Sequence, residues 1–191
     1  MNTGIGNNLE SYRAETYTGG LNYTYNPNFK GFSPFSKSKS KILKSKYLKL
    51  IKDFNLNPIP NSIMMQGQLN RRYVRTQLYN AELNTNGVTP NYEKSFTFNR
   101  NYAVSWNITK GIRVNYTSAV NTIIDEPLGN RRGDNFISQE EYQDSVYKNL
   151  ANFGRIKNYN QSWNANYKIP INKIPLLNWV NSDIGYNTNY T

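Results

Sequence analysis

Two carboxylates stand side by side at Asp125 and Glu126, in the segment IIDEPLG, and carboxylates in pairs are a common means of general acid and base catalysis. Neighbouring residues of a strand point to opposite faces of the sheet, so these two cannot act on one substrate. Pro127 predicts that the strand ends directly after them. We therefore expect a structural role, in which the carboxylates are bonded to a loop or paired with Arg131 or Arg132.

The residue types that most often carry enzymatic and metal chemistry are missing from the sequence. The chain contains no Cys and no His, which removes thiol chemistry, the commonest metal ligands and the commonest general base. The acidic segment DNFISQEEYQD lacks the ligand spacing of an EF-hand calcium loop. Catalysis would have to rest on 12 carboxylates alone. We predict that the protein is not an enzyme and has no catalytic residue, metal site or cofactor.

The formal net charge of +11 is the usual first sign of a nucleic-acid-binding protein. Much of this charge lies in a lysine run at residues 36–52, with a smaller group at Arg71, Arg72 and Arg75. No zinc-finger, helix-turn-helix or RNA-binding motif accompanies it. We therefore interpret residues 26–53 as a solvated basic loop and predict no nucleic-acid partner. The alternative is a loop that contacts acidic lipid head groups or lines the mouth of a pore.

The overall composition differs from that of ordinary soluble domains. Apolar residues make up about 35% of the chain when Gly is counted and Tyr is not, against roughly 45–50% in soluble domains. Disordered segments are poor in aromatic residues, whereas 14% of this chain is aromatic. A transmembrane β-barrel needs few apolar residues, because lipid covers one face of its wall and water the other. The composition therefore favours a barrel wall.

Residues 96–120 alternate between apolar and polar side chains with a period of two, which predicts β-strands. Thr109-Lys110-Gly111 separates the two rows and predicts a tight hairpin with Gly111 in the left-handed conformation. The first strand, at least residues 96–108, exceeds the roughly nine to eleven residues that span a bilayer. We predict that the apolar row faces lipid: Phe96, Phe98, Tyr102, Val104, Trp106, Ile112, Val114 and Tyr116. We predict that the polar row lines a lumen: Thr97, Asn99, Asn101, Ser105, Asn107, Arg113, Asn115 and Thr117.

Arg100 is the position that fits the lipid-facing row least well, because it lies between Phe98 and Tyr102 on that row. An Arg on the lipid face of a barrel costs about 2–4 kcal/mol at the midplane and about 0–1 kcal/mol near the interface. We therefore expect either that Arg100 lies near the membrane edge or that a bulge shifts the register of its strand.

The fold class predicted from these patterns is all-β. We expect an antiparallel meander of long strands that forms a section of a very large transmembrane β-barrel, with one short amphipathic helix. Ser138 and Glu141 form a capping-box pattern that begins a helix at 138–153, and this helix either packs on the sheet rim or acts as a plug or partner contact. Alternating strands at both ends of the chain lead us to expect that residues 1–191 are an interior segment of a larger barrel protein. The predicted strands are residues 16–25, 62–79, 94–108, 112–122, 155–169 and 182–190.

Three segments in order resemble one family of proteins. FNLNPIPNSIMMQGQLNRRY (54–73) resembles a box with Pro, Ser and a final Asn-Arg pair. NYAVSWNITKGIRVNYTSAVNTIIDEPLG (101–129) resembles a strand–turn–strand followed by an "IDEP-G" box, and IPINKIPLLNWVNSDIGYNTNY (169–190) resembles a "K-x-P-L-x-D/N-W" box before an alternating strand. All three occur in this order in the SprA/Sov family, the outer-membrane translocon of the type IX secretion system, which is also required for gliding motility. The resemblance covers residues 54–190.

The resemblance implies a function in protein secretion at the cell outer membrane. It implies a section of a single-chain barrel of about 36 strands, which passes folded cargo proteins. It also implies two kinds of partner besides the secreted cargo and the outer-membrane lipid, namely a periplasmic plug and a shuttle barrel. The chain is far shorter than the members of that family, so alone it cannot enclose such a pore.

Two other functions fit the same residues. A porin-like or receptor-type outer-membrane barrel has the same strand chemistry and differs in the number of strands of the whole barrel. A soluble β module could instead bind a glycan or a nucleic acid through its Tyr-rich face. The soluble module predicts that the 191 residues fold alone and remain in the aqueous phase.

Overall fold

The computed structural model describes residues 9–34, 54–78, 89–132, 137–174 and 176–191 of the chain. The lysine run at residues 36–52 lies outside these residues, so the predicted basic loop is described only at its start. There the backbone of Phe32 pairs with that of Leu56 through two hydrogen bonds of 2.8 Å.

Six long strands make up most of the described chain, as the alternating sequence predicts. They form one antiparallel meander in which each strand pairs with the next along the chain, in the order β1 to β6. The sheet is open, with β1 and β6 as its edges in the described part of the chain. The strands are β1 Leu9–Tyr25, β2 Ser62–Leu78, β3 Asn91–Asn107, β4 Ile112–Ile123, β5 Arg155–Ile169 and β6 Ser182–Tyr190.

The predicted strand boundaries agree closely with the structure except at β1, which begins at Leu9 instead of residue 16. Its first half carries charged residues: the guanidinium of Arg13 donates a hydrogen bond of 2.5 Å to Glu15, two positions along the strand. These charges interrupt the alternation of apolar and polar residues from which strands are recognised. The strand therefore extends beyond the segment that the pattern identifies.

The predicted hairpin between β3 and β4 forms, but its turn conformation differs from the prediction. The hydroxyl of Thr109 accepts hydrogen bonds from the backbone amides of Gly111 (3.2 Å) and Ile112 (3.0 Å). Gly111 is not in the left-handed region, which among the described glycines is occupied by Gly129 and Gly154. Gly111 is required for another reason: a Cβ there would lie 2.8 Å from the carbonyl oxygen of Lys168.

The short helix is present as α1, Gln139–Ala151. The capping box is complete, because Ser138 Oγ accepts from the Glu141 amide at 3.2 Å and the Glu141 carboxylate accepts from the Ser138 amide at 3.0 Å. Gly154 lies three residues beyond the last helical residue, with a φ of 71°, and its amide donates to the Asn149 carbonyl. With 13 residues, α1 falls short of the length and apolarity that a membrane-crossing helix needs, as does every helix in the described ranges.

The chain divides into two compact units, which differ in how much core they contain. Unit 1 comprises residues 1–21, 67–99 and 121–157, and unit 2 comprises residues 22–66, 100–120 and 158–191. In unit 1, helix α1 packs on the sheet around the buried residues Phe96, Ile124, Tyr142 and Val146. In unit 2, the buried residues among those described are Ser118 and Val120. The sheet of unit 2 therefore lacks a packed layer of described protein residues.

Candidate functional site

The polar row of β3 and β4 forms a ladder of side-chain hydrogen bonds within unit 2. Ser105 Oγ donates to Asn115 Oδ1 at 2.9 Å, and Arg113 Nε donates to Asn107 Oδ1 at 2.9 Å. Asn101 Nδ2 approaches Gln66 Oε1 on β2 at 3.4 Å. These contacts place residues from three neighbouring strands on one face of the sheet. The face carries amide and hydroxyl groups and few charges.

The same chemistry continues onto the last two strands. Asn164 lies directly opposite Asn187 in the antiparallel register, and its Nδ2 donates to Asn187 Oδ1 at 2.6 Å. Asn166 Nδ2 donates in turn to Asn164 Oδ1 at 2.9 Å. Amide side chains have two donors and can accept twice, so these residues keep capacity for water after bonding to one another. The polar face of unit 2 is suited to contact with water.

The opposite face of unit 2 is aromatic and aliphatic. The rings of Tyr116 and Trp163 lie 4.4 Å apart between centroids, and Trp163 is 43% exposed. Tyr167 lies opposite Ile184, and Tyr186, which is 62% exposed, lies opposite Ala165. The indole nitrogen of Trp106 donates a hydrogen bond to the Asn57 carbonyl at 2.8 Å. Within the described part of unit 2, this face has no protein layer over it.

The predicted site residues fall on β3 and β4 and divide between the units. Those of the apolar row in unit 2 are each partly exposed: Tyr102, Val104, Trp106, Ile112, Val114 and Tyr116. Those of the polar row in unit 2 are partly or fully exposed: Asn101, Ser105, Asn107, Arg113, Asn115 and Thr117. The four that belong to unit 1 are Phe96, Thr97, Phe98 and Asn99.

Phe96 requires a correction, because protein covers its side chain, whereas Phe98 beside it is partly buried. Phe96 is 8% exposed and belongs to the core that α1 closes, and the guanidinium of Arg71 lies 5.5 Å from its ring centre. Phe98 packs against the same core and stacks on Phe153 at 6.3 Å. The alternating pattern identified an apolar row correctly, but it contains no information about which segment returns to cover it. Thr97 and Asn99 are partly exposed, with Thr97 Oγ1 3.5 Å from the Asn70 carbonyl.

Glu126 is the central charged group beneath α1. Its side chain is 3% exposed, and its two oxygens contact Arg71 Nε at 2.5 Å and the Tyr142 hydroxyl at 2.5 Å. Burial and the hydrogen bond to this carboxylate raise the pKa of Tyr142 above the usual range of a phenol. Lys94 adds a second positive charge, with its Nζ 4.7 Å from the Tyr142 ring centre. The contacts join the helix to the sheet.

Asp125, which also follows β4, has a different partner from Glu126. Arg155 binds its carboxylate with two hydrogen bonds of 3.2 Å, and these hold the pKa of Asp125 below its usual value. The expectation that Arg131 or Arg132 pairs with this acidic segment is wrong for Arg131, whose partner is Glu15 at 2.6 Å. Asp125 and Glu126 thus bind different partners, Arg155 for the first and Arg71 and Tyr142 for the second.

Arg131 forms the contact that sequence reasoning missed most completely. Besides Glu15, its guanidinium lies 5.4 Å from the ring centre of Tyr73, and its amino group is 3.4 Å from the Tyr17 hydroxyl. These partners lie far away along the chain. A single sequence has no local signal for such a pairing, since neither charge spacing nor periodicity relates residues so distant.

No group of three or more carboxylates suited to a metal ion occurs in the described ranges. No protein-family model matches the chain, and no curated protein matches it.

Proposed function

We propose that this chain is a wall segment of an outer-membrane protein-export channel, a type IX secretion translocon that also serves gliding motility. The observation that carries the proposal is the two-faced sheet of unit 2, with an exposed aromatic face and a polar, Asn-rich face. The specific identity as an export channel comes from the resemblance of residues 54–190 to the SprA/Sov family.

The exposed aromatic face supports a membrane location on physical grounds. Side chains such as Trp163 and Tyr186 are removed from water in stable soluble proteins by a second layer, which the described part of unit 2 lacks. Lipid provides such a layer for a barrel wall, and aromatic side chains among aliphatic ones are typical of its interfacial girdles. The six apolar-row residues of unit 2 would then face lipid.

The lengths of the strands support the same location. β3 has 17 residues and extends over about 56 Å at roughly 3.3 Å per residue. Tilted by about 45°, such a strand rises about 40 Å, which exceeds the hydrocarbon thickness of about 30 Å. A strand of this length can cross the bilayer and continue beyond it.

The Asn-rich face supports a water-filled lumen. Its side chains bond to one another through neutral amides and hydroxyls, as in Ser105 with Asn115 and Asn164 with Asn187. A wall with few charges and few apolar groups offers little to bind a passing polypeptide. The open sheet would pair at β1 and β6 with further strands of a larger barrel. The partners in this proposal are secreted cargo, a shuttle barrel and a periplasmic plug.

Cell fractionation with an antibody against residues 130–150 is the first test of the location and of the size of the whole protein. We expect a band far above 22.1 kDa that is confined to the outer membrane. Depleting the protein should then retain secreted proteins inside the cell while small-solute uptake continues. A soluble band near 22 kDa contradicts the proposal, and loss of small-solute uptake with normal secretion indicates a porin-like barrel instead.

The orientation of the two faces is tested with single cysteines, because the natural chain has none. Val114 and Asn115 are neighbours in β4 and lie on opposite rows. We expect Asn115→Cys to react with a water-soluble maleimide and Val114→Cys to react only with a lipid-soluble one. Equal labelling of both cysteines by the water-soluble reagent, in intact membranes, would contradict the assignment of the faces.

A further inference from the structure

A cavity of about 400 Å³ lies in unit 1 between α1 and the sheet. Three guanidinium groups, those of Arg71, Arg131 and Arg132, line one part of it. Two side-chain amides, Gln139 and Gln143, lie in the first turns of the helix at its edge. The remaining wall includes Phe96, Val146 and Leu150, which are apolar. The described lining contains no carboxylate, so it combines positive and apolar side chains without a negative one.

The arginines keep hydrogen-bond donors for a ligand. Arg71 is held by Glu126 at 2.5 Å and Arg131 by Glu15 at 2.6 Å, which fixes their positions. A guanidinium has five N–H donors, and one carboxylate does not occupy them all. The guanidinium groups of Arg71 and Arg131 are therefore held in place before a ligand binds, and each can still donate hydrogen bonds to it.

In the part of the chain that the structure describes, the positive charge of the cavity lining exceeds the negative charge paired with it. Arg132 is exposed, and the ion pairs of the described residues do not include it. Among the described residues at the cavity, the three arginines have two carboxylate partners, Glu126 and Glu15, and each of these is already bonded to an arginine. An anion in the cavity would reduce the electrostatic repulsion among the three guanidinium groups.

The chemistry of the lining favours a phosphate over a carboxylate. A carboxylate presents two oxygens to donors, whereas a phosphate monoester presents three and carries a charge of about −1.5 to −2 at neutral pH. Arginine forks match phosphate oxygens in pairs. The apolar wall would accommodate the organic part of the same molecule. We propose that this cavity binds a phosphate monoester whose organic part is apolar, presented either by a soluble molecule or by a lipid head group. The proposal is independent of the export function.

Binding to the purified full chain tests the proposal, with phenyl phosphate as the soluble probe and phosphatidic acid in mixed micelles as the lipid probe. Isothermal titration calorimetry should give saturable binding of at least one probe. Phenyl phosphate should bind more tightly than inorganic phosphate, because the ring uses the apolar wall. Displacement of phenyl phosphate by phosphatidic acid, but not by the diester phosphatidylglycerol, would indicate a lipid ligand. Binding of phenyl phosphate without such displacement would indicate a soluble one.

Arg132→Gln is the decisive variant, because the Arg132 side chain is exposed and its loss leaves the Arg71–Glu126 and Arg131–Glu15 ion pairs intact. We expect its affinity for the bound probe to fall about tenfold, as for the loss of one charged hydrogen-bond partner. Lys110→Gln removes one exposed positive charge from the hairpin of unit 2 and should leave binding unchanged. The proposal is overturned if neither probe binds saturably, if Arg132→Gln binds normally, or if both variants weaken binding by the same factor.

Discussion

The hydroxyl of Tyr142, on α1, donates a hydrogen bond of 2.5 Å to the carboxylate of Glu126, which follows β4. The phenol is 2% exposed, and the other carboxylate oxygen is paired with Arg71 on β2. One buried carboxylate thus joins the helix to the sheet. Buried charges are stable only when their bonding capacity is used, so both partners are needed.

Tyr142→Phe should destabilise unit 1 by about 1–3 kcal/mol, because it removes one donor from a buried carboxylate and leaves the ring in place. The measurement is the free energy of unfolding from a urea titration followed by circular dichroism. Tyr147→Phe is the matched control on the same helix, since Tyr147 is 67% exposed, and it should change the free energy by less than about 0.5 kcal/mol. Equal effects of the two substitutions would show that the bond to Glu126 contributes nothing.

Gly154→Ala should destabilise the end of α1 by about 1–3 kcal/mol. Gly154 has a φ of 71°, and an added Cβ would lie 2.6 Å from the Ile123 carbonyl oxygen. Backbone atoms cannot move aside as a flexible side chain can. Gly19→Ala is the control, because nothing lies within 4 Å of a Cβ there, and it should cost less than about 1 kcal/mol. The same unfolding titration compares them, and a neutral Gly154→Ala would contradict the close contact.

The local parts of this fold could be predicted from the sequence. Period-two alternation located β2 to β6, and the spacing of Ser138 and Glu141 located the start of α1. Both signals depend on residues close together in the chain. β1 was predicted too short because Arg13 and Glu15, which bond within the strand, break the alternation.

The environment of each face could not be predicted in the same way. Phe96 and Val104 lie on one alternating row, yet Phe96 is covered by α1, and Val104 is only partly buried. The alternation shows which row of side chains is removed from water, but not whether protein or lipid covers that row. The ion pair between Arg131 and Glu15 could not be predicted from the sequence for a related reason, since it depends on how distant segments of the chain pack.

The capping box predicts a pH dependence of the helix. The backbone amide and the hydroxyl of Ser138 lower the pKa of Glu141 from the usual value near 4.5. A lowered pKa means that the folded state favours the carboxylate. Its contribution is present above the pKa of the unfolded chain and is lost as the pH falls through the lower, folded value. The start of α1 should therefore fray below about pH 4.5.

Amide hydrogen exchange at residues 138–142, measured by mass spectrometry between pH 6 and pH 3 and corrected for the intrinsic pH dependence of exchange, checks this expectation. Glu141→Gln keeps an oxygen acceptor and removes the titrating group, so exchange in this variant should not gain the same pH dependence. Identical pH profiles in both proteins would assign the loss of protection to other groups, such as Asp125 with Arg155.

The two faces of unit 2 predict opposite responses to substitution in a membrane. Val104→Lys places a charge on the apolar row and should destabilise the chain in lipid by about 2–4 kcal/mol if the position is near the midplane. Asn115→Leu removes one hydrogen bond, of 2.9 Å with Ser105, and should cost only about 0.5–1.5 kcal/mol. Urea titrations in lipid vesicles measure both. In a soluble domain, Val104→Lys would destabilise the protein no more than Asn115→Leu does. The introduced lysine would be partly exposed to water there and would cost little. Equally mild effects in vesicles would therefore show that the apolar row of unit 2 does not contact lipid.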